Sequence, residues 1–151
     1  MLIKRFNMFS IGVIAGLLLA PSASANTAGS LMVDIDSIDV SRGGTLAVYV
    51  YTDTSNWLKP DRRVYGTIVP VTKDTMTVEI PDVPYGEYAV SVIQDLNGNK
   101  KIDMDWFPIP GPAEPTGVSN NAQAGIGAPS FDDAKFKFAQ PSLKLSIALD
   151  I

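Results

Sequence analysis

Apolar residues recur at every second position in one short segment of this chain after another, and that period commits the chain to β-structure. Leu31, Val33 and Ile35, continued by Ile38 and Val40, predict a half-buried strand over 31–40. An Arg42-Gly43-Gly44 turn leads to a second strand, TLAVYVYT at 45–52. A third is predicted over 64–71, where Pro70 favours a sheet edge because proline brings no N–H to a ladder. TMTVEI (75–80) alternates cleanly, and YAVSVIQ (88–94) is apolar almost throughout, which places it centrally. Segments 135–138 and 143–151 supply the last strands. Helical periodicity is weak, with one turn available at Phe131–Ala134. The expectation is an all-β fold: a single antiparallel β-sandwich of about seven strands. It carries one long ordered loop, the Gly/Pro/Asn-rich stretch at 95–129.

The N-terminus reads differently. Lys4 and Arg5 precede an apolar run from Met8 to Ala20, and Pro21 and Ser22 break that run ahead of Ala23-Ser24-Ala25. Basic start, apolar centre and small-x-small exit are the three parts of a secretory signal peptide. A membrane anchor needs roughly 20 apolar residues, and this run is shorter. The expectation is a cleaved signal peptide at 1–25 and one domain at 26–151, exported to the periplasm, with the cell surface or the medium as alternatives. No second apolar stretch approaches spanning length, so no membrane span is expected in the mature chain. The chain has no Cys, which leaves neither a disulfide nor a lipid-anchored cysteine. Lys4 and Arg5 are two of its 12 basic residues, so export leaves 10 against 16 acidic ones, a net charge of about −6. That balance argues against nucleic acid, which is bound through phosphate neutralisation by Lys and Arg.

The functional signal is concentrated in the long loop. Asp95, Asn97, Asn99, Asp103 and Asp105 put side-chain oxygens at positions 1, 3, 5, 9 and 11 of one segment, and Lys101 at position 7 offers its backbone carbonyl. Ca²⁺ takes six to eight hard oxygen ligands, and alternate residues of a tight loop point inward, so the first half matches the calcium-loop pattern D-x-[DN]-x-[DN]. Position 6 is Lys100 where that pattern has Gly, and position 12 is Trp106 where it has a bidentate Glu; a strand precedes the loop in place of a helix. The likeness is therefore to calcium loops of bacterial surface β-sandwich modules, in which a late Asp replaces the Glu. Lys100 and Lys101 offset the three carboxylates, which suits the 10⁻⁴–10⁻³ M affinities of extracellular modules. The competing reading is a metal-free turn, since Asp, Asn and Gly favour turns on their own account. Zn²⁺ lacks ligands here, there being no His or Cys.

Other candidates have structural readings beside functional ones. Ser119, Asn120 and Asn121 offer a hydroxyl and two amides, to a ligand, to the ion, or to the loop itself. Trp106 and Phe107, with Trp57, Tyr51 and Tyr65, make either an aromatic platform for a sugar or peptide, or core and loop anchors. Phe131-Asp132-Asp133 is read as a capped turn whose Phe anchors the loop. Without His or Cys the usual general bases and thiol nucleophiles are missing, and no G-x-S-x-G is present.

Several linked motifs carry a resemblance. PYGEYA (84–89), DLNGN (95–99) with Asp103, FPIP (107–110), EPTG (114–117), SNN (119–121), and GAPSF (127–131) with AKF (134–136) stand in order and spacing similar to those of a bacterial exported-protein family, domain of unknown function 2141. The family usually has Gly at Lys100 and an aromatic at Val118. The resemblance covers about 31–151; it implies an immunoglobulin- or transthyretin-like sandwich and no particular activity. The expectation is thus a non-catalytic exported domain with a Ca²⁺-stabilised loop and a binding or structural role in the cell envelope, its partner an envelope protein or a glycan. The alternative is a periplasmic hydrolase or glycan-binding accessory module that uses the loop carboxylates and aromatics directly.

Overall fold

The apolar alternation resolves into two sheets whose facing sides share one core. In the computed structural model, which describes residues 27–105, 111–123, 125 and 127–150, strands β1 (Ala28–Asp36), β4 (Met76–Pro84) and β10 (Ser142–Ala148) form a three-stranded sheet in the order β10-β1-β4. Strands β2 (Thr45–Tyr51), β3 (Tyr65–Pro70), β5 (Gly86–Asp95) and β8 (Thr116–Val118) form the second, in the order β3-β2-β5-β8. β9 (Phe136–Phe138) pairs with the start of β5 and β8 with its second half, so the two divide one edge of that strand. β6 (Met104–Asp105) and β7 (Gly111–Pro112) make a small separate ladder within the long loop. The signal peptide expected at 1–25 and the aromatic pair Trp106-Phe107 lie outside the described residues. No helix among the described residues is long and apolar enough to cross a membrane.

Leu31, Val33 and Ile35 of β1, Val78 and Ile80 of β4 and Ile147 of β10 meet Leu46, Val48 and Val50 of β2 and Val90 and Val92 of β5 in one buried cluster. The opposite face of the three-stranded sheet is wet. There Asp34 accepts from Thr77 Oγ1 (2.6 Å) and pairs with Lys144 (3.1 Å), and these contacts, Thr77 first, hold its carboxyl below the usual carboxylate value.

The five-stranded sheet is different, because its central strands β2 and β5 are covered on both faces. Ala47, Tyr49 and Tyr51 of β2 and Ala89 and Ile93 of β5 point away from the first core into a second cluster with Trp57, Val118, Phe131 and Ala134. This is why β2 and β5 read as nearly unbroken apolar runs while the strands of the other sheet alternate. The covering layer is loop, anchored by edge-to-face contacts of Trp57 with Tyr51 (5.3 Å) and Phe131 (5.9 Å) and by the Trp57 indole N–H on the Pro129 carbonyl (2.8 Å). Phe131 opens the one-turn helix α1 (Phe131–Ala134), capped by Ser130.

Most strand expectations hold, with two corrections. The sheets are not uniformly antiparallel: β1 and β10 run parallel, Leu31 opposite Leu143 and Ile35 opposite Ile147. The first strand stops at Asp36; Ser37 takes a left-handed φ of 61°, and Val40, 45% exposed, opens a 3-10 turn held by the Asp39 carboxylate. Of the two readings of the aromatics, Tyr51 and Trp57 take the anchoring one, since both are buried, and Tyr65 packs edge-on to Tyr88 (6.3 Å). Pro70 does lie on an edge strand, and β5 is central.

Burial pushes the Tyr51 phenol up to about 12, and although the Ser91 hydroxyl close by opposes this, neither oxygen meets hydrogen-bond geometry. Tyr51→Phe therefore removes an unpaired buried hydroxyl and is expected to stabilise the protein by about 1 kcal/mol, measured by urea unfolding. The phenol titrates near 10 when unfolded and near 12 when folded, so its contribution is intact below pH 10 and falls away as pH rises to 12. The variant should lose less stability than wild type across that window; an equal or greater loss contradicts the assignment.

Candidate functional site

The acidic loop grows directly out of the doubly covered strand. Asp95 is the last residue of β5 and, at 1% exposure, is buried at the root of the loop. Its two carboxylate oxygens accept the Gly98 and Lys100 backbone N–H groups, each at 2.7 Å, which closes the chain into a tight turn. Gly44 makes room for this root: a Cβ there would lie 2.3 Å from the Asp95 carbonyl oxygen. Next to it Gln94, fully buried, accepts the Asp39 N–H (3.0 Å) and donates to the Asp39 and Gly43 carbonyls (2.7 and 2.8 Å), fixing the strand end to the preceding turn.

Above the turn, Asn97 and Asn99 converge on Asp103. Asn97 Nδ2 donates to Asp103 Oδ2 at 2.6 Å, and Asn99 Nδ2 reaches both carboxylate oxygens at 2.8 and 2.9 Å. Each amide oxygen accepts the N–H two residues on, from Asn99 (3.0 Å) and Lys101 (2.9 Å). Lys100, at the position where the calcium-loop pattern has Gly, takes the left-handed φ of 63° that glycine favours. Its carbonyl accepts from the Tyr49 hydroxyl (3.3 Å), whose pKa burial pushes up against the opposing Arg63 charge. Arg63 itself lies over the Tyr49 ring at 4.9 Å, and with Lys59, Lys100 and Lys101 it lines a basic cleft on this side of the loop.

The proposed ligand set is thus brought together in part. Asp95, Asn97, Asn99 and Asp103 share one hydrogen-bonded turn, whereas Asp105 lies in the β6–β7 ladder, exposed and opposite Gly111. Among the described residues no three acidic side chains gather as a cation cluster. Glu114 stands outside the ligand spacing of the loop. It is 3% exposed, and one of its oxygens accepts the Leu96 N–H at 2.8 Å, yet no ligand spacing links it to Asp95.

Ser119, Asn120 and Asn121 latch the long loop to the sandwich. Ser119 Oγ accepts the Val90 N–H (2.9 Å) and donates to the Ala134 carbonyl (2.6 Å). Asn120, at φ 62°, donates to the Asp133 and Lys135 carbonyls, while Asn121 accepts the Ala148 N–H (2.9 Å) and donates to the Ser146 carbonyl. Between these latches and the acidic loop lies a groove of about 750 Å³ with Leu58, Ile102, Val118, Ala122 and Leu149 on its walls and Ser91 among its polar lining.

Replacing Asp95 by Ala strips two backbone donors of their acceptor and is expected to cost about 2 kcal/mol in urea unfolding with EDTA present. Asp105→Ala, at an exposed position, should stay within about 0.5 kcal/mol of wild type. Equal effects of the two would refute the capping role.

No curated protein and no solved structure matches the chain. Residues 33–146 match the family described as an uncharacterized protein conserved in bacteria (DUF2141). The matched span runs from β1 to β10 and takes in both sheets, the acidic loop and its latches, and the chain belongs to that family.

Proposed function

We propose that this is an exported, non-catalytic β-sandwich of immunoglobulin or transthyretin type whose 95–105 loop is ordered by Ca²⁺, with a binding or structural role in the cell envelope. One observation carries the reading: Asn97 and Asn99 converge on the Asp103 carboxylate above a backbone turn closed by Asp95. The turn brings the amides of alternate residues onto one carboxylate, and rotating each amide about its terminal bond would turn its oxygen to the same point, as a hard divalent cation requires. The left-handed Lys100 supports it, because the chain takes there the bend that glycine usually supplies. The non-catalytic part rests on chemistry: with no His or Cys in the chain, the usual general bases and thiol nucleophiles are missing. A glycan-binding accessory role is a second reading, favoured by the groove beside the loop, and binding of envelope glycans lost on Ala122→Trp would promote it.

With a Kd of 10⁻⁴–10⁻³ M, calcium at about 10 mM stabilises by roughly 1.4–2.7 kcal/mol. For a domain of this size that raises Tm by about 5–10 °C. Asp103→Ala should abolish the rise, and a wild-type melt indifferent to both calcium and EDTA sinks the metal reading. Export is tested separately by the intact mass of the protein recovered from the periplasm or medium, which should begin at Asn26. Recovery of the full-length mass only would refute cleavage.

A further inference from the structure

Glu114 is buried, charged and half used. Its Oε1 accepts the Leu96 N–H at the first residue of the acidic loop, while its Oε2 is also buried and makes no hydrogen bond. Both oxygens share one carbon, so Oε2 lies at the loop root as well. The chain next to Glu114 is tied to the far side of the same loop: the Ala113 N–H donates to the Asp103 carbonyl at 2.9 Å, and Asp103 gathers the Asn97 and Asn99 amides. Glu114 therefore reaches the loop between its beginning and its last convergent carboxylate. A carboxylate oxygen removed from water and left without a donor is strongly unfavourable unless a cation or a proton completes it.

We infer that Glu114 is a ligand of the loop's cation, supplying through Oε2 the late carboxylate that Trp106 cannot provide at the twelfth position. The inference rests on the Ca²⁺ reading of the loop and deepens it by naming a ligand 19 positions beyond Asp95 in sequence. In calcium loops the twelfth-position Glu contributes two oxygens and encloses the ion; here the β6–β7 ladder carries an equivalent carboxylate back to the loop.

Isothermal titration of the exported protein with CaCl₂ tests this, using wild type, Asp103→Ala and Glu114→Gln. Gln keeps the shape and the acceptor for Leu96 but replaces Oε2 by a donor. The expected result is a Kd at least about tenfold weaker for Glu114→Gln, with an EDTA melt no lower than that of wild type. Luminescence lifetimes of bound Tb³⁺ in H₂O and D₂O should report about one additional water on the ion in that variant, in place of the one oxygen withdrawn. A structural role alone would not change the water count. If Asp103→Ala loses calcium and Glu114→Gln binds with the wild-type Kd and hydration, the inference falls and the loop reading stands. If wild type does not bind calcium, both fall. Should Glu114→Gln fail to fold, Glu114→Asp keeps the charge and shortens the reach; wild-type affinity in that variant also overturns the assignment.

Discussion

The five-stranded sheet has more apolar surface than the three-stranded sheet can cover. Tyr49 and Tyr51 project from the face opposite the main core, and each would expose a large ring if that face were open. Among the described residues no helix of useful length covers it; α1 is a single turn. Cover has to come from loop, and a loop laid over a sheet carries backbone groups that must find partners. Ser119, Asn120, Asn121 and Gln94 answer that need by bonding main-chain atoms of distant segments, and Asp95 by closing its own turn. The buried polarity of Ser119, Gln94 and Asp95 follows from the choice of a loop as cover.

Much of this was readable beforehand, and the reasons are local. Period-two alternation marks β1, β4 and β10 because one face of their sheet is wet, and near-continuous apolarity marks β5 because both of its faces are buried. Pro70 identified its own edge by lacking an N–H. The parallel pairing of β1 with β10 could not be read, since side-chain period is the same in either direction and only long-range topology decides it. Strand ends were misplaced where a left-handed residue such as Ser37 breaks an otherwise favourable pattern.

In the loop, residue types were legible and partners were not. Spacing identified Asp95, Asn97, Asn99 and Asp103 as a set, which the fold gathers into one turn. Spacing also included Asp105, which the β6–β7 ladder carries off to an exposed position. Glu114 was invisible because its approach to Leu96 depends on that same ladder reversing the chain. Polar residues that fasten a loop and polar residues that bind a ligand look alike in sequence, and only the location of their partners separates them.

The parallel union of β1 and β10 joins the two ends of the described chain side by side. The three-stranded sheet is complete only when these distant segments meet. Contacts of that sequence separation make folding slow. Until β10 docks, β1 keeps one hydrogen-bonding edge unpaired, open to any other strand that reaches it. The late-made strand is therefore also the guard of that edge.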